Sequence, residues 1–495
     1  MNKLPRLRSL PTLLLLSSVI LLGAAGHAQD TTGTRTMPDK WDLRHCVDYA
    51  VANNISVKQA DVQARLSRLT FNQSKLNQIP NLGFGSGLGV NSGRSQNPNT
   101  YALVTTTTLV NSLSLQSNVT VFNFFSLQNT IAANRLAWQA AQANSDKLKN
   151  DISLNVANAY LQVLLSDEQT NTARLQLRLS QSQLDITRKQ VRAGSLPELN
   201  AAELEAQVAQ DSANYISLQG TVVQNLLTLK AYMALDASVP FEVETPPVAS
   251  IPVERIEDLQ PESVYSLALY NQPLQKMDML QVESARRNVK ASKGSMYPTL
   301  TLQGSLGANY ASVNKQPFLV SAVPTVDTLY NTRVSGTKNL IVQDGVNATY
   351  NSKTISYFNQ LNNSFGQYIG VNINVPIFNN GNLRTNYEKS KLNLRNTELQ
   401  KDLDNLTLKQ NIYQAYTAAL TARQKFEANK ISVAATQKSF EYAQKRYNVG
   451  MLNTIDLLTN QNNFFNAKIN ALSSEYDYVF KMKVLEFYKG MGIKL

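Results

Sequence analysis

Cysteine and histidine are almost absent from this chain, and their scarcity excludes several kinds of active site. The 495 residues include one cysteine, Cys46, and two histidines, His27 and His45. A zinc site built from cysteine and histidine is therefore excluded, and so is an internal disulfide. His27 falls in an N-terminal segment that we expect to be removed, so a catalytic triad would have to use His45.

Acidic pairs on the predicted helices are the remaining candidates for catalysis. Asp402 and Asp404 lie two residues apart, as do Glu203 and Glu205. Residues two apart on a helix do not face each other. The sequence also has no glycine-rich loop for binding phosphate. We therefore expect a protein that is not an enzyme and that uses no cofactor and no metal.

Basic runs are also missing, although the chain is basic as a whole. It has 47 Lys plus Arg against 35 Asp plus Glu, a formal net charge of +12. The cations are scattered among acidic residues, without the basic stripe and interleaved aromatics typical of nucleic-acid binding. We expect no nucleic-acid partner.

Only the N-terminus carries a long, mostly apolar run. Lys3, Arg6 and Arg8 precede the apolar residues 13–22, and small residues lead up to Ala28. The run is too short to span a bilayer, which takes about 20 apolar residues. It predicts a signal peptide at residues 1–28 and export. Because Gln29 rather than a cysteine follows the cleavage point, no N-terminal lipidation is predicted.

The rest of the chain is two copies of one unit. At an offset of 218 residues the matches are Ala50/Ala268, Asn53/Asn271, Arg68/Arg286, Ser74/Ser292, Lys75/Lys293, Pro80/Pro298, Leu82/Leu300, Leu88/Leu306 and Gly89/Gly307. At an offset of 256 they include Asn118/Asn374, Val119/Val375, Phe122/Phe378, Asn123/Asn379, Leu136/Leu392, Ala159/Ala415, Tyr160/Tyr416, Gly194/Gly450, Leu196/Leu452 and Tyr232/Tyr488. Fixed offsets over such lengths indicate a tandem structural repeat.

The offsets also divide the chain. We predict a first repeat at residues 29–235, a connector rich in proline and acidic residues at 236–260, and a second repeat at 261–495. The difference of 38 residues between the two offsets requires an insertion between Gly307 and Asn374. We predict a long outer loop there, at about residues 311–364.

Each repeat is predicted to contain one helix, one β-hairpin and one long helical hairpin. The first helices, of about 35 residues, cover 41–78 and 261–293, and end before Pro80 and Pro298 because the residue before proline leaves the helical region. The long helices at 126–192 and 382–448 contain no proline or glycine. At 1.5 Å per residue each would be about 100 Å long, which requires coiled packing.

The hairpin strands alternate between apolar and small polar residues. They cover residues 82–90, 113–121, 300–306 and 369–377. Strands of about 10 residues with this alternation are typical of membrane β-barrels, although half-buried strands of soluble sheets share the period. Four strands do not close a barrel, and lipid does not tolerate open sheet edges. A membrane location therefore requires several copies of the chain.

Several short segments, in this order and spacing, carry a family resemblance. They are Trp41-Asp42-Leu43, Tyr297-Pro298-Thr299-Leu300, Val375-Pro376-Ile377-Phe378-Asn379-Asn380-Gly381 and Tyr447-Asn448-Val449-Gly450 with Asp456. Over nearly the whole mature chain they resemble the TolC-like outer-membrane efflux protein family, the outer-membrane factors of tripartite export systems.

The resemblance implies an α+β membrane protein. Three chains, each giving four strands, would form a 12-stranded β-barrel that continues into a long α-helical coiled-coil tunnel through the periplasm. The homotrimer would sit in the outer membrane of a Gram-negative bacterium, in contact with outer-membrane lipid. Its partners would be a periplasmic adaptor, also called a membrane fusion protein, and an inner-membrane transporter of RND or ABC type. The implied function is an exit duct for tripartite efflux or type I secretion.

The resemblance also assigns site residues. Adaptor docking falls on the tips of the helical hairpins, at Gly194, Ser195, Leu196, Val449, Gly450, Met451 and Leu452. The periplasmic aperture falls on Asp456, Thr459, Asn200 and Tyr447, and the junctions between barrel and helices fall on Pro80, Pro298 and Pro376. Residue chemistry alone leaves simpler roles open: the glycines as helix caps and Asp456 as a solvated carboxylate at a helix start.

A different function also remains open. The long helices alone would suit a periplasmic or surface structural coiled-coil protein without transport. Such a protein would not need matching hairpins, or prolines at matching places in both repeats, so we favour the duct.

Overall fold

The computed structural model describes residues 40–96, 101–245, 248, 251–333, 335–336 and 340–490. The predicted signal peptide lies outside these residues. The first repeat contains α1 (Leu43–Asn53), α2 (Ile55–Leu76), β1 (Gly83–Gln96), β2 (Leu103–Phe122), α3 (Ser126–Arg192) and α4 (Glu198–Met233). The second contains α5 (Pro261–Asn271), α6 (Pro273–Gly294), β3 (Thr299–Ala311), β4 (Lys315–Arg333), β5 (Leu340–Thr354), α7 (Tyr357–Asn363), β6 (Gly366–Asn374), α8 (Asn382–Asn448) and α9 (Thr454–Tyr488).

The two longest helices have equal length. Each of α3 and α8 has 67 residues, and their bounds are those predicted from the sequence. Because neither contains a proline or glycine, nothing in their interiors interrupts the hydrogen-bond ladder. Return helices α4 and α9 complete two helical hairpins.

The prediction of one continuous first helix in each repeat was wrong, since each is broken in two. The first breaks at Asn54, whose side chain accepts hydrogen bonds from the next turn, starting with the Ser56 N–H at 2.9 Å. The second breaks at Gln272, which leaves the helical region because Pro273 follows it. Side chains from both breaks reach the end of the return helix in their own repeat: Asn54 Nδ2 donates to the Tyr232 carbonyl at 2.9 Å and Gln272 Nε2 to the Phe487 carbonyl at 2.9 Å.

The predicted long loop is also corrected, because it contains regular structure. Strands β4 and β5 form a separate antiparallel pair, and α7 follows them. Helix α7 covers the part of β3 that extends beyond β6. There Gln360 Oε1 accepts from the Ala311 N–H at 3.0 Å, and Ser364 Oγ accepts from the Asn309 N–H at 2.8 Å. These side chains replace the missing strand partner.

The main sheet has four antiparallel strands in the order β1-β2-β3-β6. Its registers reproduce the repeat. Phe84 lies opposite Leu115 in the first hairpin, and their counterparts at offsets 218 and 256, Leu302 and Val371, lie opposite each other in the second. The two hairpins therefore share one register over the strand residues that are paired in both. Strand β6 ends at Asn374, short of the predicted Ile377, because Pro376 cannot continue the ladder.

The largest apolar core of the described residues joins Trp41 and α1 to the middle of the helical hairpins. Trp41 exchanges backbone hydrogen bonds with the connector, donating to Glu242 at 3.0 Å and accepting from Glu244 at 2.8 Å. Tyr160 on α3 lies in the same core and donates its hydroxyl proton to the Glu244 carbonyl. Burial raises the pKa of the Cys46 thiol there to about 12, so Cys46 is a packing residue rather than a reactive thiolate.

Candidate functional site: the sheet, its edges and the helical tips

One face of the main sheet is apolar and uncovered. In β1 and β6 this face carries Phe84, Leu88, Ile369, Val371 and Ile373, each more than 60% exposed. The other face presents small and polar residues such as Gly85, Ser114 and Asn372. A soluble sheet would cover its apolar face with other elements. Here the exposed apolar face suits lipid on one side and the polar face suits water on the other.

Aromatic side chains lie at both ends of this sheet. At the helical end Phe124 stacks on Tyr297 with ring centroids 4.7 Å apart. At the opposite end Tyr310 packs on Tyr357 at 5.0 Å. Leu300 and Tyr310 are ten residues apart on one strand, about 33 Å along it and about 25 Å along the normal of a membrane at a strand tilt near 40°. That height matches the apolar band of an outer-membrane barrel.

Both edges of the sheet are open. In the sheet order, β1 and β6 each have one neighbour, so one side of each strand lacks a ladder partner within the described part of the chain. Such edges have to be paired, since unpaired backbone groups cost several kcal/mol each in lipid.

Close helix packing marks the junction between sheet and helices. At Gly294, the last residue of α6, an added Cβ would lie 2.8 Å from the Phe124 carbonyl oxygen. Beside it Ser126 Oγ, at the start of α3, donates to the Ala291 carbonyl at 2.9 Å. The three predicted junction residues, Pro80, Pro298 and Pro376, lie in the segments between helix and strand. Sequence reasoning identified the prolines but missed Gly294, whose role depends on a contact with the other repeat.

Both helical hairpins end in the same backbone motif. Gly194 and Gly450 adopt left-handed φ angles of +68° and +74°, as expected for glycine after a helix. In the first tip the Ser195 N–H donates to the Gln190 carbonyl at 2.9 Å, and in the second the Met451 N–H donates to the Arg446 carbonyl at 2.9 Å. Val449 and Met451 are 69% and 70% exposed beside this turn, so the second tip displays an apolar surface.

Comparison with protein families identifies the architecture. The family model described as outer membrane efflux protein matches residues 46–235 and 264–487, which cover both repeats. The chain belongs to the outer membrane efflux protein family. As a member of this family it is an outer-membrane protein that serves as the exit duct of an efflux system.

Individual relatives of this efflux protein are distant but cover most of its length. Outer membrane efflux protein BepC of Brucella suis biovar 1 is 23% identical over 381 residues, covering 74% of this chain and 69% of the relative. Outer membrane protein TolC of Salmonella enteritidis is 20% identical over 465 residues, 93% of this chain and 84% of the relative. The solved structure of VceC from Vibrio cholerae superposes with a TM-score of 0.70 at 15% identity, covering 91% of this chain and 97% of VceC. The fold is thus that of TolC-type channels.

The predicted aperture residues of the efflux protein lie on two neighbouring hairpins. Asp456 is exposed in the first turn of α9, and its N–H donates to the capping Asn453 Oδ1 at 2.7 Å. Thr459 is exposed one turn later, and Asn200 is half-buried at the start of α4. The Tyr447 hydroxyl lies 3.2 Å from Thr187 Oγ1 on α3, which joins the two hairpins.

Leu452, predicted as a docking residue, is half-buried beneath its tip. It packs against the buried cluster of Phe440, Ala443 and Leu457, as Tyr447 does. Leu196 is half-buried at the other tip. The fully displayed side chains of the second tip are therefore Val449 and Met451.

A buried polar cluster above the tips was missed by sequence reasoning. The Asp211 carboxylate on α4 is only 4% exposed and accepts from Gln176 Nε2 at 2.8 Å and Ser180 Oγ at 2.6 Å, both on α3. Gln207 Nε2, one turn earlier on α4, is a third donor at 2.8 Å. Gln461 Nε2 on α9 donates to Ser180 at 2.8 Å, so the cluster ties one hairpin to the other. No local sequence pattern brings these helices together.

The described ranges offer no metal centre and no membrane helix. Within them no group of three or more His, Cys, Asp and Glu side chains is placed to hold a metal ion. Among the same residues, no helix combines the length and the apolar character needed to cross a bilayer.

Proposed function

We propose that three copies of this efflux protein close into one 12-stranded barrel that continues into a helical tunnel. The open edges of the four-stranded sheet carry this proposal. Four strands are half of the smallest outer-membrane barrel, whereas three copies give an even number within the known range. The antiparallel order places β6 of one copy beside β1 of the next in opposite directions, so the ring closes without a parallel pair.

The repeat gives the register of this seam between copies. Within one chain Leu115 of β2 lies opposite Leu306 of β3. The equivalents of these residues are Val371 in β6, at an offset of 256, and Leu88 in β1, at an offset of 218. We therefore propose that Val371 lies opposite Leu88 of the neighbouring copy.

Cysteine cross-linking tests this seam. In a Cys46→Ala background, Leu88→Cys combined with Val371→Cys is expected to give covalent trimers in oxidised outer membranes, because directly opposed Cβ atoms are about 4.5–5.5 Å apart. The matched control combines Leu88→Cys with Ile373→Cys, on the same face but one pair further, about 7–8 Å away. Equal yields from both pairs, or a monomeric mass by light scattering in detergent, would refute the proposed barrel.

The remaining assignments extend this proposal to the whole chain. The signal peptide at 1–28 is removed, the repeats at 29–235 and 261–495 form the wall, and the connector at 236–260 links them. Prolines 80, 298 and 376 mark the change from barrel to tunnel. The duct carries no catalytic group and no cofactor of its own, and its cargo is selected by the inner-membrane pump.

The tips are the proposed contact with the other pump components. Gly194, Ser195 and Leu196 in one hairpin, with Val449, Gly450, Met451 and Leu452 in the other, contact a periplasmic adaptor, which in turn binds an inner-membrane transporter of RND or ABC type. The exposed Val449 and Met451 support an apolar contact. Photo-cross-linking from Met451 in cells is expected to capture the adaptor, whereas the same probe at exposed Tyr442, two turns up α8 on the helix shaft, is expected to capture less. Equal capture at both positions would contradict tip docking.

The aperture is proposed to lie just above the tips. Three copies of Asp456, with Thr459, Asn200 and Tyr447 around them, would then narrow the periplasmic end and attract cations. Conductance of purified trimers in planar bilayers tests this arrangement. Asp456→Asn is expected to lower the preference for cations over anions, and an unchanged preference would place Asp456 away from the axis.

A further inference from the structure

The insertion in the second repeat forms a two-stranded ribbon with one apolar face. Directly opposed residues in an antiparallel pair share a face, and the face alternates along each strand. By register one face contains Pro317, Leu319, Ala322, Pro324, Val326, Val346, Ala348 and Tyr350, with Ser352 opposite Pro317 at one end and Asp344 opposite Val326 at the other. The opposite face contains Phe318, Ser321, Val323, Thr325, Gly345, Asn347, Thr349 and Asn351, with Val320 in a bulge. The first face is apolar between Ser352 and Asp344, and the second is mostly polar.

Nothing in the described part of the chain covers the apolar face. Leu319, Val346 and Tyr350 on it are 52%, 64% and 64% exposed. Residues 316–326 and 345–352 contain no charged side chain that would favour water. An isolated two-stranded hairpin is at best marginally stable in water, so this ribbon requires a partner surface.

The ribbon is held firmly at its base beside the open edge of the sheet. The Ser312 N–H donates to the Leu109 carbonyl of β2 at 2.9 Å, and the Leu109 N–H donates to Ser312 Oγ at 3.0 Å. Asn314 Nδ2 donates to Gln360 Oε1 of α7 at 3.2 Å. Because α7 leads directly into the edge strand β6, the ribbon rises next to the seam that we propose between copies.

We propose that the apolar ribbon faces of three copies pack against one another above the barrel mouth, and this rests on the trimer proposed above. Twelve strands about 4.8 Å apart and tilted near 40° give a barrel about 24 Å across, which puts the axis about 12 Å from each ribbon base. Val346 lies in the ninth residue pair of the ribbon, about 27 Å above its base. A tilt of about 20–25° therefore brings the three Val346 side chains to the axis.

Proline placement favours packing through the faces rather than extension of the hydrogen-bond ladder. Pro317 and Pro324 both lie in β4, whose outer side is a sheet edge. Proline in an edge strand removes donors and opposes the addition of another strand. The ribbons thus form a three-sided apolar cluster over the exit instead of a taller barrel.

Single cysteines on the two faces test this arrangement in the full-length protein. In a Cys46→Ala background Val346→Cys marks the apolar face, and the adjacent Asn347→Cys is the matched control on the opposite face. Both positions are exposed in one copy, so neither change disturbs a core. With a short bismaleimide, purified Val346→Cys trimers are expected to yield at least ten times more covalent dimer than Asn347→Cys trimers. They should also react at least ten times more slowly with a water-soluble maleimide.

Two results would overturn the inference while leaving the duct intact. Equal labelling of both cysteines in protein that forms the Leu88/Val371 seam product would show that the ribbons stand apart. Protection of Val346→Cys only in lipopolysaccharide-containing vesicles, without cross-links, would assign its partner to the membrane surface. A monomeric mass without seam product would instead refute the proposed assembly, and this inference with it.

Discussion

Asp278 is a buried carboxyl group whose neutralisation should stabilise the helical wall. It lies on α6 at 2% exposure, its Oδ2 atom has no hydrogen-bond partner, and it faces Asp404 on α8. Burial, and next the negative charge of Asp404, raise the pKa of Asp278 to about 6 from an ordinary 3.8, against an opposing effect of Lys401. In the folded protein Asp278 therefore holds its proton to a higher pH than in the unfolded chain.

The sign and size of the effect follow from this difference. Between about pH 4 and pH 6 the folded state binds the extra proton, so the contribution of Asp278 to stability is fully present below pH 4 and falls as pH rises through 6. A difference of about 2 pKa units corresponds to about 3 kcal/mol as an upper value. Asp278→Asn keeps the shape and removes the charge. It should therefore change stability little at pH 4 and raise it by up to about 3 kcal/mol at pH 8.

Thermal unfolding of the purified protein, followed by circular dichroism at 222 nm, measures the change in stability caused by Asp278→Asn. For roughly 450 ordered residues, 3 kcal/mol corresponds to a rise in the unfolding midpoint of about 3 °C. Asp402→Asn is the control, because Asp402 lies on α8 two residues from Asp404 and its side chain is 65% exposed. The difference between Asp278→Asn and wild type should grow from pH 4 to pH 6 and then level off. A lower midpoint at pH 8, or a difference independent of pH, would refute the reasoning.

Three further substitutions test the junction, the tips and the polar cluster. Gly294→Ala should lower the free energy of unfolding by about 1–3 kcal/mol and reduce the trimer recovered on native gels, because the alanine Cβ would lie 2.8 Å from the Phe124 carbonyl oxygen. Gly220→Ala is the tolerated control, because a Cβ at that position meets no atom within 4 Å. Gly450→Val forces a β-branched residue into a φ of +74°. It should lower adaptor capture by the photo-probe at Met451 while trimers still form, and Gly450→Asn should lower it less. Equal capture for both variants would argue against backbone geometry. Asp211→Asn leaves the three donors of the cluster facing an amide, and should lower the free energy of unfolding by about 2–4 kcal/mol. We expect faster amide hydrogen exchange in α3, α4 and α9. Unchanged exchange would mean that the cluster does not hold the two hairpins together.

Much of the fold was predictable because its local signals are strong. The 67-residue helices α3 and α8 follow from uninterrupted helix-forming sequence. The strands of the main sheet follow from the alternation of apolar residues with small or polar ones. The break at Gln272 also had a visible signal, Pro273, and its counterpart Asn54 is a common helix N-cap. The repeat obscured both signals, because it suggested one helix of fixed length in each copy.

The ribbon and the buried carboxyl group were harder to predict. In β4 the bulge at Val320 shifts the alternation, and Pro317 and Pro324 argue against a strand, so the apolar face appears only once the register with β5 is known. The position of Asp278 against Asp404 joins residues more than a hundred positions apart on different helices. Contacts of that kind depend on how helices cross, which no local pattern encodes. The gating and docking roles of the tip residues stay predictions.

The matching registers of the two hairpins bear on the order in which the wall assembles. The seam between β2 and β3 lies within one chain, whereas the proposed seam between β6 and β1 joins separate molecules. Because β2 and β3 belong to one chain, each meets the other at an effective concentration in the millimolar range. This is far above the concentration of newly exported subunits that form the seam between copies. Each chain should therefore arrive at the membrane with half of its seams already closed. Encounter between subunits is then the slow, concentration-dependent step of biogenesis.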